Sequence, residues 1–273
     1  MTKPRHGIWI DDPVRDVLKG EFWDKMVDHG LSTGAIMLEG LGDGFNPSYG
    51  VETLQKIKSL ALPRDIEIVL TTWPEPNQKY MKDFEDKIEP LLSAVGAAGL
   101  EFDLEGNWLP IKVSGYANLD KAGDAFVEMF QRVSARLDVR TECTTYPFHT
   151  ENAKTADVAP HCDRLLPQAY SVSERSGKDV AWDSAYGPGK MQKLTLDRAK
   201  QVRGVGTTAG PLISCGLAAY EQRFAGHTPE EAMDVAYKAA CVYEPVEVRW
   251  WSSKHVFGIM ANPYAGKFIK GLK

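Results

Sequence analysis

Asp103 and Glu105 flank a single leucine in the run Gly99-Leu100-Glu101-Phe102-Asp103-Leu104-Glu105. On a strand, residues i and i+2 share a face. A rise of ~3.3 Å per residue then sets the two carboxylates roughly 6–7 Å apart. Carboxylates that close do not ionise independently. One is driven to a raised pKa and becomes a general acid near neutral pH. The ends of other apolar runs carry Asp11 and Asp12, Glu39, Trp73, Tyr146, Gln168 with Tyr170, Tyr220, and Trp250 with Trp251, while Trp108 lies just beyond Glu105. Carboxylates supply acid and base. Aromatic rings bury the C–H faces of sugar rings and leave the hydroxyls hydrogen-bonded. The combination points to carbohydrate chemistry, with Glu105 and Asp103 at its centre and no cofactor or metal. The histidines (6, 29, 149, 161, 227 and 255) form no HxxxH or HxH pair, which argues against a zinc amidase or peptidase. No GxSxG elbow supports Ser-His-Asp chemistry.

The elements that must position these residues are legible as eight strand-length runs bounded by turn residues. They are Gly7–Ile10, Ala35–Leu38, Ile66–Leu70, Leu100–Leu104, Val139–Thr144, Leu165–Ala169, Leu212–Leu217 and Val246–Trp250. Helical patterns fill the gaps. Tyr80, Phe84, Ile88, Leu91, Leu92 and Val95 form one apolar stripe, and Phe126, Met129, Phe130 and Val133 another. Thr228-Pro229-Glu230-Glu231 reads as a capping box opening a helix with Ala232, Val235, Ala236 and Ala239 on its apolar face. Tyr264, Phe268 and Ile269 suggest a short last helix. Strands alternating with helices predict parallel βαβ units, and eight in this length predict an α/β fold, a single (β/α)8 TIM barrel spanning residues 1–273. An open doubly wound sheet usually has fewer strands, and no Gly-rich phosphate loop follows the first run.

On a barrel, function gathers at the C-terminal strand ends. The loops after the fourth and sixth runs, Asn107–Leu119 and Val172–Leu194, are the expected rims of the mouth. Asp12 before Pro13 equally suits an N-cap, which leaves Asp11 as the better inward candidate. Trp73 and Tyr220 suit packing as well as a subsite. Which of Trp250 and Trp251 faces the mouth is open.

The chain has 273 residues, 32 Lys+Arg against 37 Asp+Glu, and a net charge of −5. That balance lacks the basic footprint of a nucleic-acid binder. No stretch of ~18 apolar residues predicts a membrane span. The opening MTKPRHGIWIDDP has no apolar core of a secretory signal, so synthesis in the cytoplasm is expected. Cys143, Cys162, Cys215 and Cys241 form no CxxC pair and are expected as reduced, mostly buried thiols.

Residues 99–105 resemble the DGxDxDxE signature of family 18 glycoside hydrolases, the chitinase-type barrels. Ala98 and Glu101 replace its first two aspartates, and Asp103 and Glu105 match. The resemblance implies that Glu105 is the proton donor and that Asp103 orients the substrate's N-acetyl group. Gln168-Ala169-Tyr170 resembles the strand-six Q/M-x-Y, whose Tyr holds the acetamido oxygen. Trp250 or Trp251 matches the strand-eight Trp flooring the sugar subsite. The short DxE, with an Asp ending the first strand, also resembles family 25 lysozymes, and the single small domain resembles bacteriophage endolysins. Together these imply a monomeric glycosidase of an N-acetylated polysaccharide, peptidoglycan foremost. If it is an endolysin, it is made in a host cytoplasm and released to the cell wall. Two alternatives accompany that reading: a hydrolase of chitin oligomers, and a non-catalytic sugar-binding barrel. A lysozyme-like route would use Asp11 or Glu39 as the second carboxylate.

Overall fold

Each expected run is a strand in the computed structural model, which describes residues 3–40, 44–45, 47–74, 77–104, 119–145, 158–171, 181–203 and 212–273. Six strands precede the break in the pattern: β1 (Arg5–Ile10), β2 (Thr33–Met37), β3 (Glu67–Thr72), β4 (Gly99–Leu104), β5 (Arg140–Thr145) and β6 (Arg164–Pro167). The seventh, β7, comes in two segments, Leu212–Ile213 and Cys215–Ala218, and β8 is Glu247–Trp251. One parallel sheet of nine segments results.

Its two edges are the two halves of β7. The first half pairs with β6 and the second with β8. An additional bridge from Gln168 to Gly216, with Ala169 N–H donating to the Gly216 carbonyl at 2.9 Å, draws the edges together. The sheet is therefore a nearly closed barrel of eight strand positions, one of them interrupted at Ser214. A short antiparallel pair, Glu39–Gly40 with Gly44–Phe45, stands just after β2.

Closure assigns the two faces of every strand. Ile8, Ile10, Ile36, Leu70, Leu100, Phe102, Leu104, Cys143, Val248 and Trp250 belong to the large apolar core that includes the surrounding helices. Trp9, Ala35, Val69 and Leu166 form a separate small cluster inside the barrel, with Met37 and Trp251 packed on it.

The helices follow their sequence signals. The Gln78–Val95 helix is capped by the Asn77 side chain and ends at Gly96, whose φ of 61° suits a residue without a Cβ. Its buried stripe includes Met81 in place of Tyr80, which is only partly buried. The Thr228 capping box is present with both of its hydrogen bonds. That helix buries Met233 and Ala240 where the spacing suggested Val235 and Ala239, a rotation of its face by one position. Asn262 caps the last long helix, Pro263–Lys270. All four cysteines are free thiols, three of them buried. Among the described residues, no helix is long and apolar enough to cross a membrane.

Candidate active site

The barrel interior below the mouth is charged. Inward positions of six strands contribute Arg5, Glu67, Glu101, Arg140, Glu142, Arg164, Glu247 and Arg249, four guanidiniums against four carboxylates. The ion pairs form one connected network. Arg5 Nη1 lies 2.7 Å from Glu67, and Arg140 bridges Glu67 (3.4 Å) to Glu142 (2.5 Å). Arg164 reaches Glu247 at 3.0 Å and Glu142 at 3.6 Å. At its centre Arg249, completely buried, binds Glu101 and lies 2.8 Å from both Glu142 and Glu247. Buried charge is tolerated because it is paired and balanced. Burial opposes the charge on Arg249, but Glu142, Glu247 and Glu101 outweigh it and hold the guanidinium protonated. Burial likewise pushes Glu101 up, to about 7, against the pull of Arg249. Glu142, also buried but facing Arg249, Arg140 and Arg164, ends below the usual carboxylate range.

Trp9 stands on this network. Its Nε1 donates to Glu101 at 2.7 Å, and the Arg249 guanidinium lies 5.5 Å from its ring centroid. Thr71 also donates to Glu101, at 3.1 Å. Gly216 makes room for the indole: a Cβ there would meet Trp9 Cη2 at 2.8 Å. Trp251 packs on Trp9 with ring centroids 5.8 Å apart.

At the mouth, β4 and β6 place Asp103 and Gln168 together. Asp103 is 3% exposed and accepts a 3.2 Å hydrogen bond from Gln168 Nε2. Tyr170, two residues on and buried, meets Tyr220 edge-on at 6.2 Å. Asp11, at the end of β1, is engaged at both oxygens: Ser252 Oγ donates at 2.6 Å, and Lys254 Nζ lies at 2.9 Å. The Trp251–Ser252 peptide bond is cis.

The alternatives at adjacent residues are resolved by the barrel's two faces. Asp11 faces the mouth. Asp12 points the other way and accepts from Ser253 Oγ; it does not cap the first helix, Val14–Val17, which has no side-chain cap. Burial, its largest influence, raises the Asp12 carboxyl. Trp251 faces inward, whereas Trp250 lies on the outer face among His6, Tyr237 and Phe268. As a sugar-binding candidate Trp250 is thus corrected: the helices around the barrel cover its ring. Trp73, just past β3, is half-buried. Glu105, Trp108 and Tyr146 lie outside the described residues, as do 107–118 of the fourth loop and 172–180 of the sixth. For Glu39 only the backbone pairing with Phe45 is described. In the described part of the sixth loop, Trp182 stacks on His227 with centroids 3.6 Å apart.

The sequence reading missed the ion network and Trp9. A signal was present: Glu101 with Asp103, Arg140 with Glu142, and Glu247 with Arg249 repeat charged residues at i and i+2 within strands. It was obscured by the expectation that charge belongs at strand ends.

Comparison with protein-family models gives no match, and none of the curated proteins matches the sequence either. Solved structures do share the fold. The chain is similar to the chitinase of Chromobacterium violaceum ATCC 12472 over 99% of both chains, with a TM-score of 0.66 at 9% identity. It is similar to the spore cortex-lytic enzyme SleL of Bacillus cereus over 98% of this chain and 74% of that one, with a TM-score of 0.63 at 11% identity. The xylanase-α-amylase inhibitor protein XAIP-I, solved with trehalose, matches over 98% of both chains with a TM-score of 0.59 at 11% identity. The chain therefore carries the α/β barrel fold that these proteins share.

Proposed function

We propose that this protein is a glycoside hydrolase acting on an N-acetylated polysaccharide, peptidoglycan foremost, with Glu105 as general acid and base. The observation that carries the reading is the grouping of Asp103, Gln168 and Tyr170 at the C-terminal mouth of the barrel, with Trp251 on the same inner face. Glu105 is the next position in the alternation read from the sequence. The names of two fold neighbours, a chitinase and a cortex-lytic enzyme, lend the substrate class its support.

In the proposed reaction Glu105 protonates the glycosidic oxygen. The substrate's own acetamido oxygen, oriented by Asp103 and Tyr170, attacks the anomeric carbon and displaces the leaving sugar. Water then opens the oxazolinium while Glu105 takes the proton. This is the substrate-assisted exception to the two-carboxylate scheme. The state of Asp11 favours it over a lysozyme-like route, since a carboxylate bound by Ser252 and Lys254 is poorly placed to activate water. We further propose a monomer without nucleic-acid or membrane partners, working as an endolysin on a cell wall.

The test is Glu105→Gln, which keeps shape and removes the titratable proton. Turnover on purified cell walls and N-acetylglucosamine oligomers should fall ~10²–10⁴-fold with oligomer binding retained. More than a tenth of wild-type turnover refutes the assignment. Proton NMR of the first-formed anomer checks the route, and net retention is expected. A first product of inverted configuration shifts the second carboxylate to Asp11 or Glu39. A hydrolase of chitin oligomers would clear chitin and leave cell walls intact. The likeness to XAIP-I favours one non-enzymatic alternative, a sugar-binding barrel, which would bind cell walls in a zymogram without clearing them.

A further inference from the structure

Beside the mouth, a cleft of about 320 Å³ opens between the helices that follow β1 and the segment that follows β8. Asp12, Phe22, Phe257, Gly258 and Ile259 line it. Neighbouring residues divide it from the mouth. Asp11, on the mouth side, accepts from Ser252 Oγ, and Asp12, facing the other way, accepts from Ser253 Oγ. Asp12 is 7% exposed, and among the described residues only its Oδ2 is hydrogen-bonded. Its Oδ1 lies on the Gly258 side, where a Cβ would meet it at 2.6 Å. Glycine thus leaves that oxygen open to the cleft.

The rim charges answer one another and the Asp12 charge does not. Asp16 and Lys19 pair at 2.6 Å, and Glu21 and Lys25 stand one turn apart on the helix Gly20–Asp28. Lys254 attracts Asp12, but its ammonium is bound to Asp11. A nearly buried carboxylate without a cation of its own is costly, and burial pushes the Asp12 carboxyl up accordingly. The surfaces around it are apolar. Phe22 and Phe257 meet edge-on with centroids 5.3 Å apart, and Ile259 is 75% exposed at the lip. A sugar ring would find few hydrogen-bonding partners on such walls. A run of methylenes ending in a cation suits both features: the stem packs on the rings, and the charged end meets the carboxylate. We infer that this cleft binds an aliphatic primary ammonium of the lysine side-chain kind, with Asp12 as its counter-charge. The site goes beyond the proposed glycosidase reaction and does not depend on it. Two sources carry that group: a peptide attached to the glycan in the mouth, and a separate peptide.

The probe is Nα-acetyl-lysine methylamide, titrated by NMR beside its Nε-acetylated counterpart, which keeps the stem and loses the charge. The wild type should bind the probe saturably in the millimolar range, shifting the backbone amides of Asp12, Phe22 and Gly258. It should bind the acetylated compound at least about tenfold more weakly. Asp12→Asn keeps an acceptor for Ser253, removes the charge and should lose about tenfold in affinity for the probe. Thermal unfolding accompanies it because the residue is nearly buried. Ile259→Lys, at an exposed position, brings an ammonium of its own to the lip and should also weaken the probe. No saturable shift at the cleft, equal binding of the two compounds, or full affinity in folded Asp12→Asn each overturns the inference. If Asp12→Asn does not fold, full affinity in Ile259→Lys overturns it. A glycan tetramer with and without a lysine-containing peptide then assigns the source. Tighter binding of the peptide-bearing form, lost in Ile259→Lys, upholds the site with the ammonium on the glycan. Equal binding of the two forms, with the probe still bound, upholds it with the ammonium on a separate peptide.

Discussion

Replacing Arg249 with methionine keeps the length of the side chain and deletes the charge at the centre of the barrel. The loss is unevenly shared. Glu142 retains Arg140 and Arg164, and Glu247 retains Arg164. Among the described residues, Glu101 is left with the neutral donors Trp9 and Thr71. Four carboxylates then face three guanidiniums, with the uncompensated charge at a fully buried residue. Breaking a buried pair from one side costs about 3–5 kcal/mol, a large share of the ~5–15 kcal/mol that holds a domain together. At about 2–4 °C per kcal/mol for a chain near this size, the thermal midpoint should drop by about 6–20 °C.

The deficit should also depend on pH. Burial already raises Glu101 to about 7 in the presence of Arg249, and removing the cation raises it further. A carboxylate whose folded pKa exceeds its unfolded one favours the fold when protonated. That contribution is fully present below the unfolded pKa and is lost as pH rises through the folded value. Arg249→Met should therefore be weakest at about pH 8 and recover toward about pH 5. Adding Glu101→Gln restores a balance of three against three and should return at least half of the lost midpoint. Scanning calorimetry of the wild type, single and double variants at both pH values is the assay. A single variant within about 3 °C of wild type at the higher pH refutes the network argument, as does a double variant no better than the single.

Two further substitutions separate packing from binding. Trp250→Ala removes a buried ring and should cost about 3–5 kcal/mol of stability with oligosaccharide affinity unchanged in the folded protein. Trp251→Ala should instead weaken that affinity about tenfold through lost stacking, with a smaller stability cost, so thermal unfolding and calorimetric titration together sort the pair. Thr228→Ala deletes one arm of the capping box and should cost about 1 kcal/mol, a midpoint drop of about 2–4 °C, while Thr228→Ser should not.

Much of this protein is written locally. Short apolar runs ending in turn residues marked all eight strand positions, because strand length and turn chemistry depend on neighbouring residues. The Thr228 box followed from its caps for the same reason, and the spacing of Tyr264, Phe268 and Ile269 marked the last helix. Alternation put Asp103 on the same face as Glu105, but alternation alone could not say which face is the inside of the barrel. With both sides of a parallel strand covered, apolar residues occupy either side, so the pairs Asp11/Asp12 and Trp250/Trp251 stayed undecided. Ring closure decided them, by making one face of each strand the inside of a barrel. Closure also brought Arg249 to Glu101 across 148 positions of sequence, seated Trp9 over Gly216 and set Gln168 against Asp103. Those contacts join distant strands, and no window along the chain contains both partners.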